Sequence, residues 1–367
     1  MALDSLITNV DDQIIKIRTR SLDVSFNELY DMYKNNELII SPDYQRLFRW
    51  EPDKQSRFIE SLILEMPVPP IFVIEKEDGV YELIDGLQRI SSYLHFRGEN
   101  LHKEESDDNE SFLELEGCDI VKDLNGYNFN QLPKSIQIKL KRSFVRMEVI
   151  KKESETSLKY HMFKRLNTGG ELLSAQEIRN CTIRLLGSDA ITFLEECSAD
   201  KNFIEVTKRM GEDKLKTKFD QELVLRFFAM KNNLDGYRYP VTDFLTRFLE
   251  KITTKETAFD YDKERDIFKR TFAFIRNNGG ADMFSTVTAQ GTVRSDFVLY
   301  CYDGISIPVA MYIDEIDKLA DKTLVVDKIN KIKFGTDIQS YKTGSVNGVK
   351  TRIKLFAEGV EEVIDGR

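Results

Sequence analysis

The chain contains no run of about 18 consecutive apolar residues, so a membrane-spanning helix is not expected. Its start, Met1-Ala2-Leu3-Asp4-Ser5, lacks a basic stretch followed by an apolar core, and a secretory signal is not expected either. Cysteine is scarce: four residues, at 118, 181, 197 and 301, none spaced as Cys-x-x-Cys. Histidine is scarcer, with only His95, His102 and His161, and these form no tight cluster with the cysteines. A zinc framework and a disulfide scaffold are therefore excluded as organising features, and reduced thiols in a cytoplasmic protein are the simpler expectation. An excess of positive charge is also lacking. The net charge of −9 rules out a uniformly basic surface that coats nucleic acid. Local basic faces stay open. Lys139, Lys141, Arg142 and Arg146 form one cluster, and Lys331, Lys333, Lys342, Lys350, Arg352 and Lys354 form a second. Both read equally as solvated surface, and DNA is the partner they would suit.

What is present is a globular composition, 41% hydrophobic and 31% charged, which argues against a disordered or fibrous chain. A length of 367 residues accommodates two domains of roughly 100–200 residues each. Ser25 followed by Glu28 reads as a helix start. Pro52 suits the first turn of a helix whose apolar face is Phe58, Ile59, Leu62 and Ile63. Ile71–Ile74 and Tyr81–Ile84 read as strands around an Asp78-Gly79 turn. Residues 98–123 hold ten acidic residues against Lys103 and Lys122, and read as a surface insertion with little to bury. Phe144–Ile150 alternates as another strand. After Glu155 the apolar spacing is helical nearly throughout, and no internal repeat appears. The expected fold class is α+β: an N-terminal α+β domain over 1–165, with the acidic insertion near 98–123, followed by an all-helical domain over 166–367.

Three stretches could carry chemistry. In the first, Ile84-Asp85-Gly86-Leu87-Gln88-Arg89, a strand ends, Gly86 permits a tight turn and a helix opens. Backbone N–H groups at such a helix start favour an anion. Arg89 can grip phosphate through two nitrogens, Gln88 can donate to phosphate or position a water, and Asp85 can hold a divalent cation. Together they suit a nucleoside phosphate with Mg²⁺. They read equally as an ordinary Asp-Gly turn at a helix start. The second stretch, Pro42 to Trp50, holds Tyr44, Gln45, Arg46, Phe48, Arg49 and the chain's only tryptophan. Aromatics beside arginine can stack on a base, and a tryptophan can as well anchor a loop to the core. In the third, Asn167-Thr168-Gly169-Gly170 ends one helix and Ser174 with Glu177 caps the next. It is either a plain helix junction or a ligand-facing turn, with Arg179 and Asn180 one turn behind.

Taken in order, Tyr44-Gln45-Arg46, Asp85-Gly86-Leu87-Gln88-Arg89 and Asn167 through Asn180 resemble the N-terminal domain of GmrSD-type modification-dependent restriction proteins, from about residue 20 to 235. That resemblance implies a ParB-like fold that binds a nucleoside triphosphate with Mg²⁺, often hydrolysing it, within anti-phage defence. It implies contacts to phosphate or metal from Asp85, Gly86, Gln88 and Arg89, with Asp85, Gln88 and Arg89 as catalytic candidates and Asp85 as the metal ligand. Tyr44, Gln45 and Arg46 would line the upstream pocket, with Asn167, Gly169, Gly170, Glu177, Arg179 and Asn180 supporting its far side. Leu87 departs from the family, which often has glutamine there, and an apolar side chain cannot position water.

Larger members of the family carry a His-Asn-His nuclease, whose chemistry needs histidine. No histidine follows His161, so that nuclease is not expected in the C-terminal half. His95, beyond Arg89 on the same helix, reads as a helix-surface residue. The expected function is a nucleotide-binding, NTP-hydrolysing regulatory or sensor component of a restriction-type defence system, acting with a separate effector or nuclease chain. The alternative is a non-hydrolysing, nucleotide-gated module that binds DNA or a partner.

Overall fold

The structure is a computed structural model. It describes residues 10, 18–40, 48, 50–99, 112–155, 158, 161–162, 165, 174–286, 292, 294, 296–335 and 337–366. The chain divides into two compact units, Met1–Leu172 and Leu173–Arg367.

The strands of the first unit are β1 (Thr19–Ser25), β2 (Leu38–Ile39), β3 (Ile71–Glu75), β4 (Tyr81–Asp85) and β5 (Phe144–Ile150). They form one mixed sheet in the order β1-β5-β3-β4-β2. β3 and β4 make the hairpin around Gly79, while β5 lies parallel to β3 and antiparallel to β1. The helices are α1 (Phe26–Lys34), α2 (Pro52–Ile63), α3 (Leu87–Phe96) and α4 (Lys134–Arg142). Local chemistry sets their starts. Ser25 Oγ accepts the Glu28 N–H at 3.1 Å, satisfying a donor that the first turn leaves without a partner. Pro52 opens α2 where no N–H is required. Phe26 lies 6.0 Å from Phe58 and 5.1 Å from Tyr93, ring to ring, so α1, α2 and α3 share one aromatic core.

The acidic segment departs from expectation in its described part. From Phe112 onward it is built into the unit: Leu113, Leu115 and Cys118 are buried. Two polar side chains on α2 hold it. Ser56 Oγ accepts the Glu116 N–H at 3.0 Å, and the buried Glu60 carboxylate accepts from Ile120 and Val121 at 3.1 and 2.6 Å. The apolar residues at 113, 115 and 118 decide this burial, and the neighbouring charges point outward.

The second unit is helical among its described residues, so the α+β-then-helical order holds. Its longer helices are α5 (Ala175–Ile183), α6 (Asp189–Ser198), α7 (Phe219–Asn233), α8 (Val241–Thr253), α9 (Tyr261–Asn278), α10 (Leu299–Met311), α11 (Thr323–Phe334) and α12 (Val346–Ile364). Gly304 lets α10 approach α12: a Cβ there would meet the Phe356 ring at 2.8 Å. Beside that contact lies a buried ion network. Asp303 accepts from Arg226 at 2.5 and 2.7 Å and from Arg352 at 3.1 Å.

Arg352 is therefore inside the core, and Lys333, also buried, donates to the Asp282 carbonyl at 2.5 Å. Burial pushes the Lys333 ammonium below its usual pKa. The second basic cluster read from the sequence is thus divided between core and surface, and two of its six cations do not face solvent.

Candidate functional site

The turn from β4 into α3 is set by one glycine. Gly86 has φ +103° and ψ 11°, in the left-handed region. A Cβ on it would lie 2.5 Å from Ile71 Cγ2 on the adjoining strand. Conformation and space therefore both exclude a side chain. The backbone passes directly from the strand end into the first turn of α3, which carries no acidic residue. The amide groups at this helix start form a positive end that favours an anion, beside which the Asp85 carboxylate is offset by Arg89.

Asp85 and Arg89 flank that end. Arg89 Nη2 pairs with Asp85 Oδ2 at 2.9 Å, and Arg89 Nη1 donates to the Pro69 carbonyl at 2.7 Å. Both side chains are partly accessible, at 13% for Arg89 and 31% for Asp85. The guanidinium is thus held by two fixed acceptors, and its plane is set before any ligand arrives. Leu87 points the other way and is buried at 5% exposure.

Gln88 faces Trp50. The Trp50 backbone N–H donates to Gln88 Oε1 at 3.1 Å. The Trp50 carbonyl accepts from Gln55 Nε2 at 2.6 Å, and Gln55 Oε1 lies 2.9 Å from His95 Nδ1. The Trp50 ring packs edge-on against Phe58 at 5.8 Å, with Lys54 Nζ 5.2 Å from its centroid. The ring is an anchor on α2, and its backbone joins the first turn of α3. Tyr44, Gln45 and Arg46 lie outside the described residues.

Gln55 and His95 are the residues that sequence reasoning missed. His95 is half-buried and tied to α2, where a helix-surface position was expected. Gln55 is 4% exposed and shares a face with Phe58, Ile59 and Leu62. A glutamine in the apolar stripe of an amphipathic helix is the signal that marked it.

Three members of the first basic cluster, Lys139, Arg142 and Arg146, line a separate groove of about 800 Å³, with Met66, Ile138 and Phe144 among its apolar walls. Its cations are partly matched in place: Arg146 pairs with Asp23 at 3.1 Å and Lys139 with Glu65 at 3.4 Å.

Residues 26–184 match the family described as GmrSD restriction endonuclease, N-terminal domain. Over these residues the chain is similar to a GmrSD-type N-terminal domain. No curated protein and no solved structure matches the chain. The GmrSD match includes the Asp85–Arg89 turn and extends through Arg184, into the second unit.

Within the GmrSD match, Asn167, Gly169 and Gly170 lie outside the described residues. The Ser174–Glu177 capping box is formed in both directions, at 3.2 and 2.8 Å. Arg179 and Asn180 are buried in the second unit. Arg179 donates to Gln176 Oε1 at 2.8 Å, Glu222 Oε2 at 3.0 Å and Thr246 Oγ1 at 3.1 Å. Asn180 donates to Gln221 Oε1 at 2.6 Å and accepts from Gln176 at 2.9 Å. As placed, these side chains tie α5 to α7 and α8, and a direct ligand contact would require breaking those bonds.

Proposed function

We propose that the N-terminal unit binds a nucleoside triphosphate with Mg²⁺ at the start of α3, and that this occupancy controls a component of a restriction-type defence system. The observation that carries the reading is the Gly86 entry into a helix start with Arg89 already oriented beside it. Phosphate oxygens would meet the amides of the first turn, and Arg89 would neutralise their charge. Asp85 is the side chain here that suits Mg²⁺. Among the described residues no group of three or more metal-ligating side chains gathers. A Mg²⁺ at Asp85 would therefore draw its other ligands from phosphate and water, as this ion commonly does.

Two observations favour binding with little or no turnover over efficient hydrolysis. Leu87 is directed into the core, and Gln88 Oε1, the atom that could orient an attacking water by accepting a hydrogen bond from it, is engaged by the Trp50 N–H. Gln88 then serves a phosphate through its Nε2 hydrogens. Hydrolysis is the second reading, with Asp85, Gln88 and Arg89 as its candidate groups, and it requires Gln88 to leave Trp50. Residues 166–367 hold no histidine from which His-Asn-His chemistry could be built, so DNA cleavage of that kind is not assigned to them. A thermal-shift screen of nucleoside triphosphates with Mg²⁺ tests the binding reading, since a ligand selective for the folded state raises the melting temperature. Phosphate release measured beside it tests hydrolysis, with Arg89→Ala as the control.

A further inference from the structure

The polar chain behind the site has a direction that its backbone members determine. A carbonyl oxygen only accepts, so the Gln55 atom 2.6 Å from the Trp50 carbonyl is the Nε2 donor. Gln55 Oε1 is thereby turned to His95, and the proton between them sits on His95 Nδ1. A backbone N–H only donates, so Gln88 presents Oε1 to Trp50. The two glutamines hold the two sides of one residue's backbone, one from α2 and one from the first turn of α3. Gln55 is almost wholly buried, where an unmatched amide is costly, and its two bonds are what make that burial tolerable.

The other buried polar side chains of α2 provide a comparison. Ser56 and Glu60 both hold the 112–121 segment. Gln55 alone of these three is turned toward the α3 start, and it is tied there to a side chain two turns further along the same helix.

We propose that Gln55 is a positioning residue for the nucleotide site: with His95 behind it, it fixes Trp50, and Trp50 in turn fixes the orientation of the Gln88 amide at the helix start. This rests on the reading of that start as a nucleotide site. The Trp50 carbonyl keeps the Gln55 amide from turning over, because a flipped amide would set its oxygen against that carbonyl, and His95 Nδ1 partners the Gln55 oxygen that this leaves.

The single tryptophan makes the chain directly observable, since all indole emission comes from Trp50. The experiment compares wild type, Gln55→Leu, His95→Leu and His95→Asn by Trp50 emission and acrylamide quenching without nucleotide. Calorimetric affinity for each of the four nucleoside triphosphates with Mg²⁺ is measured on the same samples, and melting temperature checks the fold. His95→Asn keeps an amide donor near the Nδ1 position and is the conservative variant. The expected result is red-shifted, more quenchable emission in Gln55→Leu and His95→Leu. Nucleotide affinity falls about tenfold in both, the scale of one lost hydrogen bond to a fixed partner. His95→Asn restores both properties. If Gln55→Leu destabilises the unit, the His95→Leu and His95→Asn pair decides, because His95 is only half-buried where Gln55 is almost wholly buried. Unchanged emission and affinity in folded Gln55→Leu, or equal behaviour of His95→Leu and His95→Asn, overturns the positioning role. Failure of wild type to bind any nucleotide overturns the functional reading instead, and it appears in calorimetry while the emission comparison still reports on Trp50.

Discussion

Arg89 reaches back four residues to Asp85, Nη2 to Oδ2 at 2.9 Å, while its Nη1 donates to the Pro69 carbonyl at 2.7 Å. Two acceptors on different segments hold one guanidinium at the edge of a helix start. A lysine at 89 keeps the charge but cannot make both bonds in a fixed plane. Arg89→Lys is expected to weaken nucleotide affinity by about tenfold and Arg89→Ala by about 100-fold, the range of charge-assisted hydrogen bonds. Calorimetric titration checks both. Full affinity in Arg89→Lys would show that only the charge matters.

Gly86→Ala places a Cβ 2.5 Å from Ile71 Cγ2 at a φ of +103°. The expected loss is about 1–3 kcal/mol of stability, the range for a strained backbone position, together with loss of nucleotide binding. Urea unfolding followed by circular dichroism measures it. A stability equal to wild type would mean that this turn relaxes without cost.

Leu87→Gln is expected to fail as a gain of function. The side chain at 87 faces the core, so the amide would be buried there, at a cost of about 1–3 kcal/mol. Phosphate release per bound nucleotide should stay at the wild-type level. A several-fold increase would show that position 87 reaches the reacting phosphate.

Much of the first unit, and the start of the second, was legible in the sequence because the signals there are local. Ser25 with Glu28, Pro52, the Asp78-Gly79 turn and the Ser174–Glu177 box each act within four residues, and each stands where the pattern put it. What was illegible depends on partners distant in the chain. Arg352 looked like part of a basic patch because its partner Asp303 lies 49 residues away. The 112–123 stretch looked solvated because its charges outnumber the few apolar residues that bury. At the site, Gly86 and Arg89 were readable from a strand–glycine–helix pattern. The bond from Trp50 to Gln88 spans 38 residues, and no local rule reveals it.

The Asp303 carboxylate is fully buried between Arg226 and Arg352. Asp303→Ala leaves two guanidinium groups in the core of the second unit without their anion. A loss of about 3–5 kcal/mol is expected, the cost of breaking a buried ion pair from one side. Denaturant unfolding of the full chain checks it. A loss below about 1 kcal/mol, the scale of a surface pair, would contradict the network's role.

Thiol chemistry offers an independent check on burial. Burial pushes Cys118 and Cys301 up to about 11 and Cys197 up to about 12, while Cys181 is more accessible. At pH 8 a thiol with such a pKa is roughly one part in a thousand thiolate or less. A short iodoacetamide pulse on the native chain should therefore modify Cys181 first, and urea should open all four. The unfolded chain loses these thiol protons first. The stability that the buried thiols contribute is therefore intact below the ordinary thiol pKa of 9.0 and is lost as pH rises toward 11 and 12. Fast labelling of Cys197 at pH 8 would contradict the packing around α6.

The central claim is that the start of α3 binds nucleotide through Gly86 and Arg89. Calorimetric titration of ATP, GTP, CTP and UTP with Mg²⁺ into wild type and Arg89→Ala tests it most directly. The expected result is saturable one-to-one binding of at least one nucleotide by wild type, weakened by about 100-fold in a folded Arg89→Ala. Absence of binding for all four, or equal affinity in the two proteins, would contradict it.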